Sequence, residues 1–147
     1  MIRIADGILI NRPIEQVFTF VADLENTPKW QVGVVQSRKV SEGPIQVGTK
    51  FKEVVRVVGR PLDTICEITE YQVNRKMTFK STTSAAIQYE GQFTFESRSG
   101  STRVDIAGAG ELKGLWRLVE PLFAGEAKKS AADELKQIKR YLEAPAE

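Results

Sequence analysis

The spacing of apolar residues along the chain changes from a strand period to a helical period and back. Residues 2–10 are rich in β-branched side chains and predict a first strand, and the apolar residues of 14–21 then recur at i, i+3, i+4 and i+7, which predicts a helix. From residue 31 onward the period is two. It predicts six further strands, at about 31–40, 49–58, 62–71, 75–82, 86–96 and 102–110. The links between them are short and rich in turn residues, which favours an antiparallel meander.

Alternation within these strands predicts a sheet with one apolar face and one polar face. Ile87, Tyr89 and Phe93 fall on one side of the strand at 86–96, and charged residues fall on the other. The strand at 62–71 alternates less regularly, and we assign Cys66 and Ile68 to its apolar side. One dry face is typical of an antiparallel sheet that is covered on one side only.

The stretch 111–143 reads as one long helix that should cover this dry face. Pro121 lies in its middle and should kink it. Its apolar face is bulky, then small, then bulky again: Leu112, Leu115, Trp116, Val119, Leu122 and Phe123, then Ala127, Ser130 and Ala131, then Leu135, Ile138 and Leu142. The small central residues predict a hollow beneath the helix, since bulky side chains would otherwise fill the interior. The alternative is that these residues are simply core, as helical stripes usually are.

Composition narrows the class of protein. A chain of 147 residues with 41% apolar and 27% charged residues is typical of a single globular domain, here 1–147. A net charge of +2, spread along the chain, argues against nucleic-acid binding. A single Cys cannot form an intrachain disulfide, and the sequence has no run of eighteen apolar residues that would predict a membrane span. Asp6 interrupts the apolar start, which argues against a signal peptide. We therefore expect a cytoplasmic protein.

The sequence contains no His, which excludes much chemistry. Ser-His-Asp and Cys-His nucleophile systems are impossible, as are His-ligated zinc and iron sites. A general base would have to be a carboxylate, Lys, Tyr, Cys or a bound water. We therefore expect no metal and no cofactor.

Two side chains stand out as candidate polar groups on the apolar face. Glu53 shares the alternation of Phe51 and Val55, so it points inward if these two do. An inward carboxylate would have a raised pKa and could act as a base or hold a ligand hydroxyl. If the strand has the opposite parity, Glu53 lies in water instead. Tyr89 would offer one hydrogen-bond donor on the same apolar face, or serve as a core tyrosine.

Several short patterns occur in a familiar order. They are Pro13 with Val17 and Phe18, then Trp30, "VGTKF" at 47–51, "ITEYQVNRKMTF" at 68–79, and the ending "ELKQIKRYLE". With them the chain resembles the START-like, helix-grip superfamily of the birch-pollen allergen, and within it the bacterial proteins of polyketide cyclase/dehydrase type. The resemblance implies an α+β fold: a seven-stranded curved antiparallel sheet around a long C-terminal helix, with two short helices after strand one. The allergen's glycine-rich loop is not evident, because "SEGPIQVG" stands in its place.

The resemblance also implies a role for the hollow. The first hypothesis is the binding of a small hydrophobic molecule, such as a polyketide, lipid, isoprenoid or aromatic compound, in a pocket of about 300 Å³ or more. We predict a lining of Trp30, Phe51, Val55, Cys66, Ile68, Phe79, Ile87, Phe93, Leu115, Trp116, Val119 and Phe123. The second is an enzyme of cyclase/dehydrase type, with Glu53 and Tyr89 as its acid/base pair. The third is an interaction module that binds another protein. The sequence does not decide whether the protein forms a homodimer.

Overall fold

The structure, a computed structural model, describes residues 1–31, 33–83 and 86–144. Its strands are β1 (Ile2–Ile10), β2 (Val34–Lys39), β3 (Lys50–Val57), β4 (Arg60–Gln72), β5 (Lys76–Thr83), β6 (Ile87–Arg98) and β7 (Ser101–Leu112). Its helices are α1 (Ile14–Ala22) and α2 (Glu120–Glu143), with two 3₁₀ helices, η1 (Leu24–Lys29) and η2 (Gly114–Val119). The predicted fold, a seven-stranded curved sheet with a long C-terminal helix, is confirmed.

The strands form one antiparallel sheet in the order β1-β7-β6-β5-β4-β3-β2. Strands β2 to β7 follow each other as a meander, and β1 joins its far edge by pairing with β7, where Ile2 lies opposite Gly110. In β3, Phe51, Glu53 and Val55 are buried while the residues between them are more exposed, so of the two orientations left open by the sequence the structure has the one with Glu53 inward. One face of the sheet is thus available to the helices.

The core lies between this inner face and the helices. Phe18 of α1 contacts the ring of Phe95 edge-on, at 5.1 Å between centroids. From α2, Leu135 and Ile138 are buried in the same cluster. Because α1 and the C-terminal half of α2 close this end of the sheet, any hollow must lie toward the N-terminal half of α2.

Helix α2 runs alongside β1 and is tied to it by polar contacts at both ends. The Met1 amino group lies 3.2 Å from the Glu120 carboxylate. Further along, Lys139 Nζ donates to the Leu9 carbonyl at 2.9 Å. These contacts fix the helix over the β1 edge of the sheet.

The C-terminal helical stretch begins later than the sequence predicts. Strand β7 continues through Leu112, and η2 lies between it and α2. Pro121 therefore occupies the first turn of α2, so the predicted kink at this residue is wrong. Proline suits this position because the amide hydrogens of a first helical turn have no partner within the helix.

The predicted inward orientation of Leu115 is wrong, and so is that of Leu122. Leu115 is 85% exposed and Leu122 is 62% exposed. The reason is the 3₁₀ winding of η2, with about three residues per turn, which aligns side chains at i and i+3. Trp116 and Val119 consequently share the inner side, where they pack on the small cluster around Ile87.

Glu134 of α2 is a buried carboxylate that sequence analysis did not single out. Its side chain is 8% exposed, and it lies on the helix between the buried residues Ala131 and Ile138. Among the described residues it has no hydrogen-bond or ion-pair partner. Burial without compensation raises the pKa of Glu134 to about 7.

Glu134→Gln should therefore change the pH dependence of stability. The folded state favours the neutral acid. The contribution of Glu134 to the free energy of unfolding is therefore fully present below its unfolded pKa of 4.5 and is lost as the pH rises through 7. When the pH is raised from 4.5 to 8.5, the free energy of unfolding of the variant should rise by about 1–2 kcal/mol relative to that of the parent protein. Urea unfolding at both pH values measures this gain. Glu126→Gln, at an exposed site of the same helix, is the control, and an equal gain there would contradict the assignment.

Candidate ligand-binding site

A cavity of about 210 Å³ lies between the inner face of the sheet and α2. Strands from both edges of the sheet, η1 and the N-terminal half of α2 all contribute to it. Its inward-facing side chains are mostly apolar: Ile2, Ile4, Leu24, Trp30, Val34, Val55, Phe79, Ile87, Phe93, Ile106, Phe123 and Ala127. The hollow beneath the small part of α2 is thus present, with Ala127 on its wall.

Glycines line the cavity on two adjacent strands of the sheet. Gly91 of β6 pairs with Gly108 of β7, and both line the cavity. A Cβ atom on Gly91 would lie 2.6 Å from Cζ of Phe79, closer than real contacts allow. Glycine here lets the Phe79 ring lie against the backbone, which is a usual reason for glycine within a strand.

Glu53 forms the polar centre of the cavity. It is 4% exposed and points inward, which decides between the two orientations left open by the sequence. Its Oε1 atom accepts hydrogen bonds from the Tyr89 hydroxyl at 3.1 Å and from Cys66 Sγ at 3.0 Å. Cys66 comes from the neighbouring strand β4, whereas Tyr89 comes from β6, so sheet curvature brings the phenol to the carboxylate.

Burial sets the protonation of this group of three. Desolvation raises the pKa of Glu53, and the two hydrogen bonds only partly oppose that rise. The pKa of Cys66 and that of Tyr89 are both raised, first by burial and then by the negative charge of Glu53. Thiol and phenol therefore stay protonated and act as donors, and Cys66 is not activated as a nucleophile.

Six of the twelve predicted lining residues surround the cavity, together with Glu53 and Tyr89. They are Trp30, Val55, Phe79, Ile87, Phe93 and Phe123. Trp30 and Phe93 contact each other edge-on at 5.9 Å between ring centroids. This contact brings the residue that follows η1 next to β6 on one side of the hollow.

The other six lie elsewhere in the described part of the chain. Phe51, Cys66 and Ile68 are fully buried in the core beside the cavity. Trp116 and Val119 pack on the cluster around Ile87. Leu115 is exposed, as described above.

Sequence analysis missed the contributions of β1, η1 and part of β7. Ile2 and Ile4 alternate along β1, and this pattern was a signal that could have placed them on the inner face. Leu24 and Thr27 belong to η1, whose six residues are too few to show a period. Gly108 gave a stronger signal, since glycine inside a strand marks a close approach to the backbone.

Comparison with known proteins supports this fold throughout the chain. The family described as polyketide cyclase / dehydrase and lipid transport matches residues 1–143. No curated protein matches the sequence at a significant level. Among the described residues, no helix is long and apolar enough to cross a membrane.

Solved structures of similar fold share little sequence with this chain. A protein from Thermus thermophilus is 20% identical with a TM-score of 0.80, and the match covers 99% of each chain. The Zhui aromatase/cyclase from a Streptomyces species is 10% identical with a TM-score of 0.79, over 96% of this chain and 93% of the other. A START superfamily protein from Mycobacterium smegmatis is 14% identical with a TM-score of 0.77, over 96% and 97%. At these identities the structures show the fold alone, whereas the family match shows that the chain belongs to the polyketide cyclase / dehydrase and lipid transport family.

Proposed function

We propose that the protein binds a small hydrophobic molecule in the cavity between the sheet and α2. The observation that carries this proposal is an apolar hollow whose few buried polar groups include the Glu53 carboxylate. Such a combination is typical of ligand sites, where apolar walls supply affinity and a few polar groups fix the orientation.

The size of the cavity restricts the guest. Its 210 Å³ is smaller than the roughly 300 Å³ at which ligand pockets usually begin, so the predicted size of about 300 Å³ or more is wrong. A compact guest with one or two rings, or a short branched chain, suits this volume better than a long lipid or an extended polyketide. Aromatic and short isoprenoid compounds are therefore the favoured classes.

Glu53 suits a guest that carries a hydroxyl group. Both protein donors, Tyr89 and Cys66, bond to Oε1. Among the described residues none donates to Oε2, so a guest hydroxyl could donate to it. That bond would add a guest donor to the two protein donors that Glu53 already has.

Native mass spectrometry of the protein purified from its own host tests the proposal. A retained small molecule is the expected result. A second test uses 2-naphthol, a fluorescent probe with two rings and one hydroxyl. Saturable binding of one 2-naphthol per chain is expected. Absence of both a retained molecule and saturable probe binding would contradict the proposal.

Glu53→Leu should weaken 2-naphthol binding about tenfold, because it removes a buried acceptor for the hydroxyl and leaves the apolar walls in place. Fluorescence titration measures the change in Kd. Naphthalene lacks the hydroxyl and is the matched ligand control, so its Kd should stay unchanged. An equal loss for both ligands would mean that Glu53 shapes the cavity and does not bind the hydroxyl.

A second candidate function is catalysis of the cyclase/dehydrase type. It is favoured by the 3.1 Å contact between Glu53 and Tyr89, which both line the cavity. In a dehydration, Glu53 would take the proton from the carbon beside a carbonyl, a C=C bond would form, and the C–O bond would break. Glu53 would pass that proton to the leaving hydroxyl, giving water, while Tyr89 stays protonated and donates a hydrogen bond to the leaving oxygen. Failure of the protein to convert 4-hydroxy-4-phenyl-2-butanone into its enone would count against this alternative.

A further inference from the structure

Three leucines on η2 and the first turn of α2 form an exposed apolar stripe. Leu115, Leu118 and Leu122, hereafter the leucine patch, are 85%, 81% and 62% exposed. They are aligned because 3₁₀ winding places residues 115 and 118 on one side, and residue 122 follows one helical turn later. Single exposed leucines are ordinary, but a contiguous group on one segment marks an interaction surface.

The opposite side of the same segment closes the cavity. Phe123 lines the cavity, and Trp116 and Val119 pack on the cluster around Ile87. The inward side of the segment is therefore already occupied, and the leucine patch cannot turn inward without displacing these side chains. Any partner of the leucine patch therefore comes from outside the fold.

Cations accompany the leucine patch. Lys113 precedes η2 and Arg117 lies within it, and both side chains are exposed. Among the described residues, neither is in an ion pair. The nearest acid along the chain after η2, Glu120, is instead paired with the Met1 amino group at 3.2 Å. Glu111, at the end of β7, lies on the wall of the cavity, so the segment presents its apolar side chains together with two cations that have no ion-pair partner in the described part of the chain.

We propose that the leucine patch, with Lys113 and Arg117, docks the protein onto the surface of an anionic lipid bilayer. Leucines can enter the boundary between headgroups and acyl chains, while the two cations remain with the lipid phosphates. A symmetric contact with a second copy would instead bring the cations of both copies together, which charge repulsion disfavours. Docking would also bring the segment that closes the cavity next to the bilayer, in which apolar guests dissolve.

Flotation with lipid vesicles tests this proposal. We expect the parent protein to float with phosphatidylglycerol/phosphatidylcholine vesicles and to bind pure phosphatidylcholine vesicles at least about fivefold more weakly. The triple variant L115S/L118S/L122S should bind the anionic vesicles at least about tenfold more weakly. The double variant K113E/R117E should lose the preference for anionic vesicles, and high salt should do the same to the parent.

Val73→Ser is the matched control, because Val73 is also exposed, at 64%, and lies beyond the far end of β4. It should leave flotation unchanged, and circular dichroism should show that every variant is folded. Three results would overturn the proposal: no flotation with anionic vesicles, equal losses in the Val73 and leucine variants, or a dimer in light scattering that the leucine changes dissociate. The last result would assign the leucine patch to self-association.

Discussion

Replacing Ala127 by Phe should raise the Kd for 2-naphthol at least about 100-fold. Ala127 lies on the helix wall of the cavity, where α2 carries small residues. An aromatic ring added there would occupy much of the 210 Å³ that the guest requires. Most of the affinity of such a guest comes from its buried apolar surface, so exclusion from the cavity should remove more than about 2.7 kcal/mol of binding free energy.

Ala132→Phe is the control for this experiment, because Ala132 is exposed on the same helix. It should leave the Kd unchanged. Filling a cavity often stabilises a protein, so the free energy of unfolding of the Ala127 variant should be equal to that of the parent or higher. If the larger ring unfolds the chain, Ala127→Leu provides a smaller obstruction. Unchanged 2-naphthol binding in a folded Ala127 variant would place the guest elsewhere.

Replacing Leu135 by Ala should lower the free energy of unfolding by about 3 kcal/mol. Leu135 is 1% exposed and packs in the cluster where α2 meets the sheet and α1. Truncation of a buried leucine removes its apolar burial and leaves a void that the neighbours fill only in part, at a typical cost of about 2–5 kcal/mol. Urea unfolding followed by circular dichroism measures this loss.

The same substitution at Leu122 provides the comparison. Leu122 belongs to the same helix but is 62% exposed, so Leu122→Ala should change stability by no more than about 0.5 kcal/mol. A loss at Leu122 that approaches the loss at Leu135 would contradict the orientation of the first turn of α2. It would favour the inward orientation that the sequence pattern predicts.

The strands could be predicted from the sequence because burial on one face imposes a period of two. In β3, the buried residues Phe51, Glu53 and Val55 alternate with more exposed ones, as the pattern predicts. The facing of the side chains on η2 could not be predicted in this way, because the sequence pattern there fits an α-helix equally well. Apolar residues such as Leu115 and Trp116 carry no mark that separates 3₁₀ from α winding, so their facing could not be read from spacing alone.

The candidate site could be predicted only in part, for a related reason. Alternation along the strands put Glu53 on the same face as Tyr89 only if Phe51 and Val55 point inward, which the sequence left open. It could not show that the two side chains touch, because β3 and β6 are separated by two other strands and meet only through sheet curvature. The close approach of the Phe79 ring to Gly91 likewise could not be predicted, because it depends on the register that places these two residues opposite each other on β5 and β6.

The pairing of β1 with β7 has a consequence for biosynthesis. On the ribosome, the hairpins from β2 to β7 can form in turn as they emerge, since each strand pairs with its neighbour in sequence. Strand β1 is made first, yet its partner is made about ninety residues later, because Ile10 lies opposite Thr102. Until then the apolar side chains of β1 and α1 remain without their final contacts, and this part of the nascent chain is the one with most need of a chaperone.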